Sequence, residues 1–234
     1  SRPTTYRDQA VTVVIYALDI LCFDPDKTDW SNLLDPERLS SAARFRFRED
    51  RARCIGAGLL LNYALKQYDC SHPLPPQVAK DPKGKPWLLD LPDFYFNISH
   101  SGKWVICAVG DRPIGVDIEQ TVRGMQEVAK RYFSAKEQSY LQSLPSKKRS
   151  TAFIELWVLK ESYMKATGLG LSLSLKDLHI HIGPPATLRY KGQEVLYGLT
   201  LCEFADPDYR LGLAVKGTTT PPLYRIEQIG LDIK

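Results

Sequence analysis

The stretch from Phe94 to Glu119, FYFNISHSGKWVICAVGDRPIGVDIE, contains apolar runs separated by turn signals. Phe94 to Ser99 and Trp104 to Val109 are rich in aromatic and β-branched residues and flank Ser-Gly-Lys, which is the composition of a β-hairpin. Asp111-Arg112-Pro113 then turns the chain into a third strand, Ile114 to Glu119. The fold must therefore be built around a sheet.

Upstream, Val11 to Leu21 is apolar and β-branched enough to read as a buried strand, and Asp24 to Asn32 is polar and turn-like. Asp35-Pro36-Glu37 places an N-cap residue before a proline at the first helical position, predicting a helix to about Phe47 and a second over Arg48 to Tyr68. These helices carry Arg38, Arg44, Arg46, Arg48, Arg51 and Arg53, the most basic segment of the chain. His72 to Leu91 is proline-rich, with Lys80, Lys83 and Lys85 around Gly84, and reads as a surface connection.

Downstream, Met125 to Phe133, Ala135 to Leu144 and Lys147 to Thr167 are helix-like. Ser134 and Glu137 form a capping box, and Gly168 and Gly170 stop the last helix. Strands are predicted near Leu178 to Ile182, Leu199 to Phe204 and Arg210 to Val215, with Gly217 to Pro222 as a linker to a short tail. Each half carries strands and helices, so the chain reads as α+β with two similar lobes, 1–113 and 114–234. No residue-level repeat is detectable.

The length of 234 residues and the 44% hydrophobic content suit one large globular domain or two small ones. The first residues, SRPTTYRDQA, lack an apolar signal region, and Val11 to Phe23 is broken by Asp19 and too short for a bilayer span. A soluble, unsecreted and cytoplasmic protein without membrane contact is expected, with native residues preceding Ser1. Cys22, Cys54, Cys70, Cys107 and Cys202 are scattered without a C-x-x-C pair, which argues against a disulfide framework or a structural zinc. A net charge of +4 suits an acidic ligand or protein partner but is too weak to imply nucleic acid.

Three groups of residues carry the chemistry. In Gly115-Val116-Asp117-Ile118-Glu119, strand alternation sends both carboxylates to one face, where they can share a hard cation completed by phosphate and water. A solvated strand face is the plainer reading of that motif alone. In Trp157-Val158-Leu159-Lys160-Glu161-Ser162-Tyr163-Met164-Lys165, Glu161 and Lys165 share a helix face, as would an ordinary surface pair. Their company of Phe153, Ile154, Leu156 and Val158 makes burial of charge costly unless an ion or partner compensates. Phe96-Asn97-Ile98-Ser99-His100-Ser101-Gly102 could donate several hydrogen bonds to phosphate, or be a plain hairpin turn; no nucleophile elbow surrounds its serines. His179 and His181 alternate onto one strand face but lack a third ligand nearby, and read as surface or packing residues.

FNISHSGKW, IGVDIE and LWVLKESYMKATGLGL, in this order and spacing, together resemble the Sfp-type (surfactin-type) 4′-phosphopantetheinyl transferases. The resemblance runs from about Asp35 to Leu175 and takes in Gly84-Lys85-Pro86 and the arginine-rich helices. It implies two pseudo-symmetric α+β lobes in one chain, with coenzyme A in the cleft between them. It further implies a magnesium-dependent, monomeric enzyme that moves 4′-phosphopantetheine onto a serine of an acyl or peptidyl carrier protein and releases 3′,5′-ADP. Such carriers serve fatty acid, polyketide and nonribosomal peptide biosynthesis.

By the same resemblance, Asp117, Glu119 and Glu161 would ligate magnesium with the pyrophosphate, and Lys165 would stabilise the departing 3′,5′-ADP. Lys85 and Pro86 would hold the cofactor, His100, Arg53 and Arg38 would face the 3′-phosphate, and Ser99 would bond a phosphate oxygen. Ser41 and Cys54 stand where the family can carry a lysine and a threonine. Glu161 would take the serine proton, directly or through a metal-bound water. The carrier would dock near Thr121 to Gly124 and Met125 to Phe133, where Arg123, Lys130 and Arg131 suit an acidic helix.

Two rival classes remain at this level. A coenzyme A or nucleotide binding module would have no need of three convergent acids. A metal-dependent phosphohydrolase or nuclease would use the same acids with water as nucleophile.

Overall fold

The computed structural model describes residues 12–27, 29–121 and 131–230. Its first strand, β1 (Thr12–Asp19), is buried on both faces: Val13, Ile15 and Ala17 enter one core, Tyr16 and Leu18 another. This double burial is why the strand reads as a continuous apolar run.

The helices α1 (Pro36–Arg44) and α2 (Arg48–Tyr68) follow. The Asp35 carboxylate accepts from the Arg38 amide and caps α1, with Pro36 as its first residue. α1 ends at Arg44 and not at Phe47, because Phe45 takes an extended backbone. In the proline-rich stretch, where a loop or extended surface connection was expected, β2 (Val78–Lys80) pairs with β3 (Pro86–Leu88). Their turn closes because Asp81 Oδ1 accepts from the Lys83 and Lys85 amides.

The predicted hairpin is β4 (Tyr95–Ser101) and β5 (Trp104–Gly110), and the third strand is β6 (Ile114–Gln120). The downstream elements are α3 (Ala135–Ser143), α4 (Ser146–Thr167), β7 (Leu178–His181), β8 (Thr187–Tyr190), β9 (Gln193–Glu194), β10 (Tyr197–Cys202), β11 (Tyr209–Lys216) and β12 (Leu223–Ile229). Ser134 and Glu137 form the expected capping box on α3, and Gly168, at φ 67°, ends α4. β8 and β9 turn over Lys191 and Gly192, both at positive φ; hairpin or turn signals were expected in this stretch, but not these two strands.

The tail predicted after Pro222 is instead β12, which pairs in parallel with β1 from Thr12↔Leu223 to Leu18↔Ile229. Its alternating charges, in Arg225 and Glu227, are those of an edge strand and hide the pattern. The first sheet has the order β12-β1-β5-β4 and the second β10-β11-β6. Ile114, Val116 and Ile118, with Leu211, Leu213 and Val215, pack on Val13, Ile15, Ile106 and Ala108, so the sheets lie back to back. α2 covers the outer face of the first sheet and α4 that of the second. α3 and the small β7-β8-β9 sheet complete the core around α4.

Between the sheets, β4 and β6 meet through side chains. Asn97 Oδ1, Ser99 Oγ and Ser101 Oγ accept from the amides of Val116, Ile118 and Gln120 at 2.9, 3.1 and 3.0 Å.

Two glycines let α4 approach the second sheet. A Cβ on Gly115 would overlap the Ser162 carbonyl oxygen and lie 2.5 Å from the Ala166 nitrogen, and one on Gly212 would lie 2.6 Å from the Val158 oxygen. Backbone cannot yield as a flexible side chain can, so any residue larger than glycine must lift the helix. Gly115→Ala is expected to cost about 2–3 kcal/mol in urea unfolding, whereas Gly230→Ala should stay within about 0.5 kcal/mol. Among the described residues, no atom beyond its chain neighbours lies within 4 Å of a Cβ built on Gly230. Equal midpoints for the two variants would refute so close a seating of α4.

Candidate active site

β6 turns Val116 and Ile118 into the core between the sheets and presents Gly115, Asp117 and Glu119 on the side of α4, as alternation predicts. Asp117 is 4% exposed. From α4, Lys165 Nζ donates to Asp117 Oδ1 at 2.6 Å and to the Val116 carbonyl at 3.1 Å. Ser99 Oγ donates to the same Asp117 oxygen at 3.0 Å, and Ser101 Oγ to Glu119 Oε2 at 3.2 Å. Among the described residues, Asp117 Oδ2 is buried without a hydrogen-bond partner.

This arrangement concentrates negative charge. Burial pushes the Asp117 carboxyl above the usual range, against the pull of Lys165 and Ser99. Burial and the charges of Asp117 and Glu161 raise Glu119 to about 7. Burial and Asp117 likewise raise Glu161, with Lys165 opposing. Asp117, Glu119, Glu161 and Lys165 thus form one electrostatic unit. Among the described residues, no three His, Cys, Asp or Glu side chains stand assembled as a metal cage.

Beside this unit lies a cavity of about 350 Å³ lined by Lys83, Gly84, Lys85, Pro86, Asn97, Glu161, Met164 and Lys165. Four of the residues singled out in the sequence, Lys85, Pro86, Glu161 and Lys165, meet there. The Lys85 ammonium donates to the carbonyls of Lys165 (2.6 Å), Ala166 (3.1 Å) and Ile114 (3.2 Å), so it clamps the end of α4 to β6. Burial lowers its pKa to about 8.

At the end of β4, His100 keeps solvent access. Its surroundings nonetheless strip away enough water that, with the charges of Arg53 and Lys165, its pKa falls below the ordinary histidine value. Arg53 bonds the Gly102 carbonyl at 2.7 Å and Asp50 at 2.5 Å, linking α2 to the hairpin turn. Arg38 lies along α2, donating to the Cys54 carbonyl at 3.1 Å, with Asp35 at 3.9 Å. Ser41 accepts from Arg44, and the Cys54 thiol faces the Arg38 carbonyl.

Of the residues expected to meet a carrier, Arg123 and Lys130 lie outside the described residues, as do 122–129 around them. Arg131 sits 5.3 Å from the ring centre of Tyr132. His179 bonds Ser134 and His181 is exposed, in keeping with packing and surface roles.

The sequence reading missed the use of Lys160. This residue is fully buried, 2.9 Å from Glu137 Oε2, and also donates to the carbonyls of Leu175 and Leu178. Glu137 in turn accepts from the amides of Ser134 and Ile180. The available signal was a lysine on the apolar side of a buried helix, with a capping-box glutamate nearby in the chain.

Residues 113–214 match the model of the 4′-phosphopantetheinyl transferase superfamily, and residues 22–111 match that of the 4′-phosphopantetheinyl transferase N-terminal region. A Bacillus subtilis 4′-phosphopantetheinyl transferase is 37% identical over 194 residues, covering 77% of this chain and 86% of its own. The 4′-phosphopantetheinyl transferase Sfp of Bacillus subtilis strain 168 is 37% identical over 151 residues, covering 64% of this chain and 67% of its own. A solved Bacillus anthracis holo-(acyl-carrier-protein) synthase, in complex with CoA (3′,5′-ADP), matches at TM-score 0.38 and 18% identity. That match covers 46% of this chain and 96% of the other. On its sequence relatives, this chain belongs to the 4′-phosphopantetheinyl transferase family and is Sfp-like.

Proposed function

We propose that this protein transfers 4′-phosphopantetheine from coenzyme A to a serine of an apo acyl or peptidyl carrier protein. The observation that carries this reading is the Lys165–Asp117 contact, with Glu119 and Glu161 coupled to it, beside a cavity lined by Gly84-Lys85-Pro86. We divide the chain into lobes 1–113 and 114–234, with β12 returning to complete the first and coenzyme A between them. The matching pattern of a sheet covered by one long helix supports that division.

Asp117, Glu119 and Glu161 would hold magnesium. The unpartnered Asp117 Oδ2 and the mutual repulsion of three oxygen-donor acids fit a hard cation whose remaining positions come from phosphate and water. Magnesium would neutralise charge on the phosphate oxygens.

The chain's own residues then do the following. Lys165 lies beside the acids and meets the charge that develops on the departing 3′,5′-ADP. The carrier serine oxygen attacks the phosphorus next to pantetheine, that phosphorus parts from the oxygen bridging it to ADP, and Glu161 takes the serine proton. Burial and Asp117 raise the Glu161 carboxyl, which makes it a better base than an exposed glutamate. Lys85 keeps the end of α4 in place, and Pro86 walls the cavity. His100 and Arg53, joined by Arg38 from α1, would receive the 3′-phosphate. The carrier would dock on the segment that follows β6. We place the enzyme in the cytoplasm as a monomer; among the described residues no helix is long and apolar enough to cross a membrane.

Intact-protein mass spectrometry of an apo carrier with coenzyme A and magnesium should show the gain of one phosphopantetheine, lost with Asp117→Ala. Release of ADP without carrier modification would favour a hydrolase. Glu161→Gln should lower kcat about 100-fold or more while coenzyme A affinity changes less than about threefold; equal losses would leave Glu161 a ligand only. Burial, with Arg53 and Lys165, holds His100 below the ordinary histidine range in the free protein, and a phosphate beside it raises its pKa, so coenzyme A binding should take up a proton. Affinity should then fall as pH rises through the raised His100 value, and calorimetry in buffers of different ionisation enthalpy should lose this uptake in His100→Ala.

A further inference from the structure

We propose that Ser99 and Ser101 are positioning residues that hold Asp117 and Glu119 from the neighbouring strand and choose which carboxylate oxygens are left for the cation. This rests on the metal reading above and assigns Ser99 to the acids, away from the phosphate expected in the sequence.

A serine hydroxyl has one proton to give and lone pairs to receive. Ser99 Oγ accepts from the Ile118 amide at 3.1 Å, and its proton goes to Asp117 Oδ1 at 3.0 Å. Ser101 Oγ accepts from the Gln120 amide at 3.0 Å, and its proton goes to Glu119 Oε2 at 3.2 Å. In both, the main-chain donor occupies a lone pair and turns the rotor so that the hydroxyl hydrogen falls on the acid. The geometry repeats because both strands alternate with a period of two.

A third contact supplies an internal control. Asn97 Oδ1 accepts from the Val116 amide at 2.9 Å in the same series, but the β6 residue just before Val116 is Gly115, so no acid stands there. The strand junction therefore exists without an acid, whereas the hydroxyl types coincide with the acids. The result at Asp117 is specific. Ser99 and Lys165 both occupy Oδ1, and Oδ2 remains buried and unpartnered. Partners of this kind fix the direction of a ligand before the metal arrives.

The test is Mn²⁺ binding at saturating coenzyme A, followed by electron paramagnetic resonance, with coenzyme A binding without metal measured separately by calorimetry. Ser99→Ala and Ser101→Ala should each weaken Mn²⁺ about 10–100-fold, Ser101→Thr should return to within about threefold of wild type, and Asn97→Ala should shift it by less than about threefold. Metal-free coenzyme A binding should change less than about twofold in both serine variants. Unchanged Mn²⁺ affinity in the two alanine variants would overturn the proposal, as would an equal loss in Asn97→Ala, which would mean that strand spacing alone is at work. A matching loss of metal-free coenzyme A affinity would return the hydroxyls to the phosphates. Absence of Mn²⁺ binding by the wild type would instead sink the metal reading on which the proposal rests.

Discussion

The distance between α4 and the second sheet governs this site. Lys165 reaches Asp117 at 2.6 Å because Gly115 and Gly212 let helix backbone rest directly on strand backbone. Ser162, fully buried at that contact, spends its hydroxyl proton on the Val158 carbonyl one turn back and so asks nothing of the sheet. Were the helix raised by a methyl group, the charge on Lys165 would leave the acid that it offsets. A contact made by glycines with no chemistry of their own thus sets the electrostatics of the residues that have it.

The same helix illustrates two treatments of buried charge. Lys160 and Glu137 are both out of solvent, but the lysine has three acceptors and the glutamate two main-chain donors, so the pair is satisfied. Such a pair fixes how α4 is rotated and joins it to α3 and β7. Asp117 is nearly as buried but keeps one oxygen without a partner, and its neighbours are two further acids. A protein that needed only stability would have no reason to leave that oxygen bare. The contrast, between a satisfied buried pair on one side of α4 and an unsatisfied acid on β6 facing another side, separates two electrostatic environments around one helix.

Most of the local structure was legible because its causes are local. Asp35 before Pro36, Ser134 with Glu137, and Gly168 after Thr167 each mark a helix end through bonds made within a few residues. The two acids on β6 were assigned to one side by alternation alone. β12 escaped notice because its partner β1 lies at the opposite end of the chain, and an edge strand carries charge where a central strand carries leucine. β8 and β9 were not named as strands although turn signals were read around them, because they are short and Lys191-Gly192 is a weaker turn signal than Asn-Gly.

The sequence by itself determined the types of most elements, the pairing of Asp117 with Glu119 on one strand face, the shared face of Glu161 and Lys165, and the family. Each follows from backbone periodicity or from a pattern of residues read in order. Only the tertiary structure decided where the protons go. Lys85 donates to carbonyls of α4 and β6, and Ser99 gives its hydrogen to Asp117, contacts that no pattern in the order of residues foretold. A hydrogen bond is fixed by angles and by distances of a few ångströms between groups far apart along the chain, and such geometry exists only once the sheets and helices have packed.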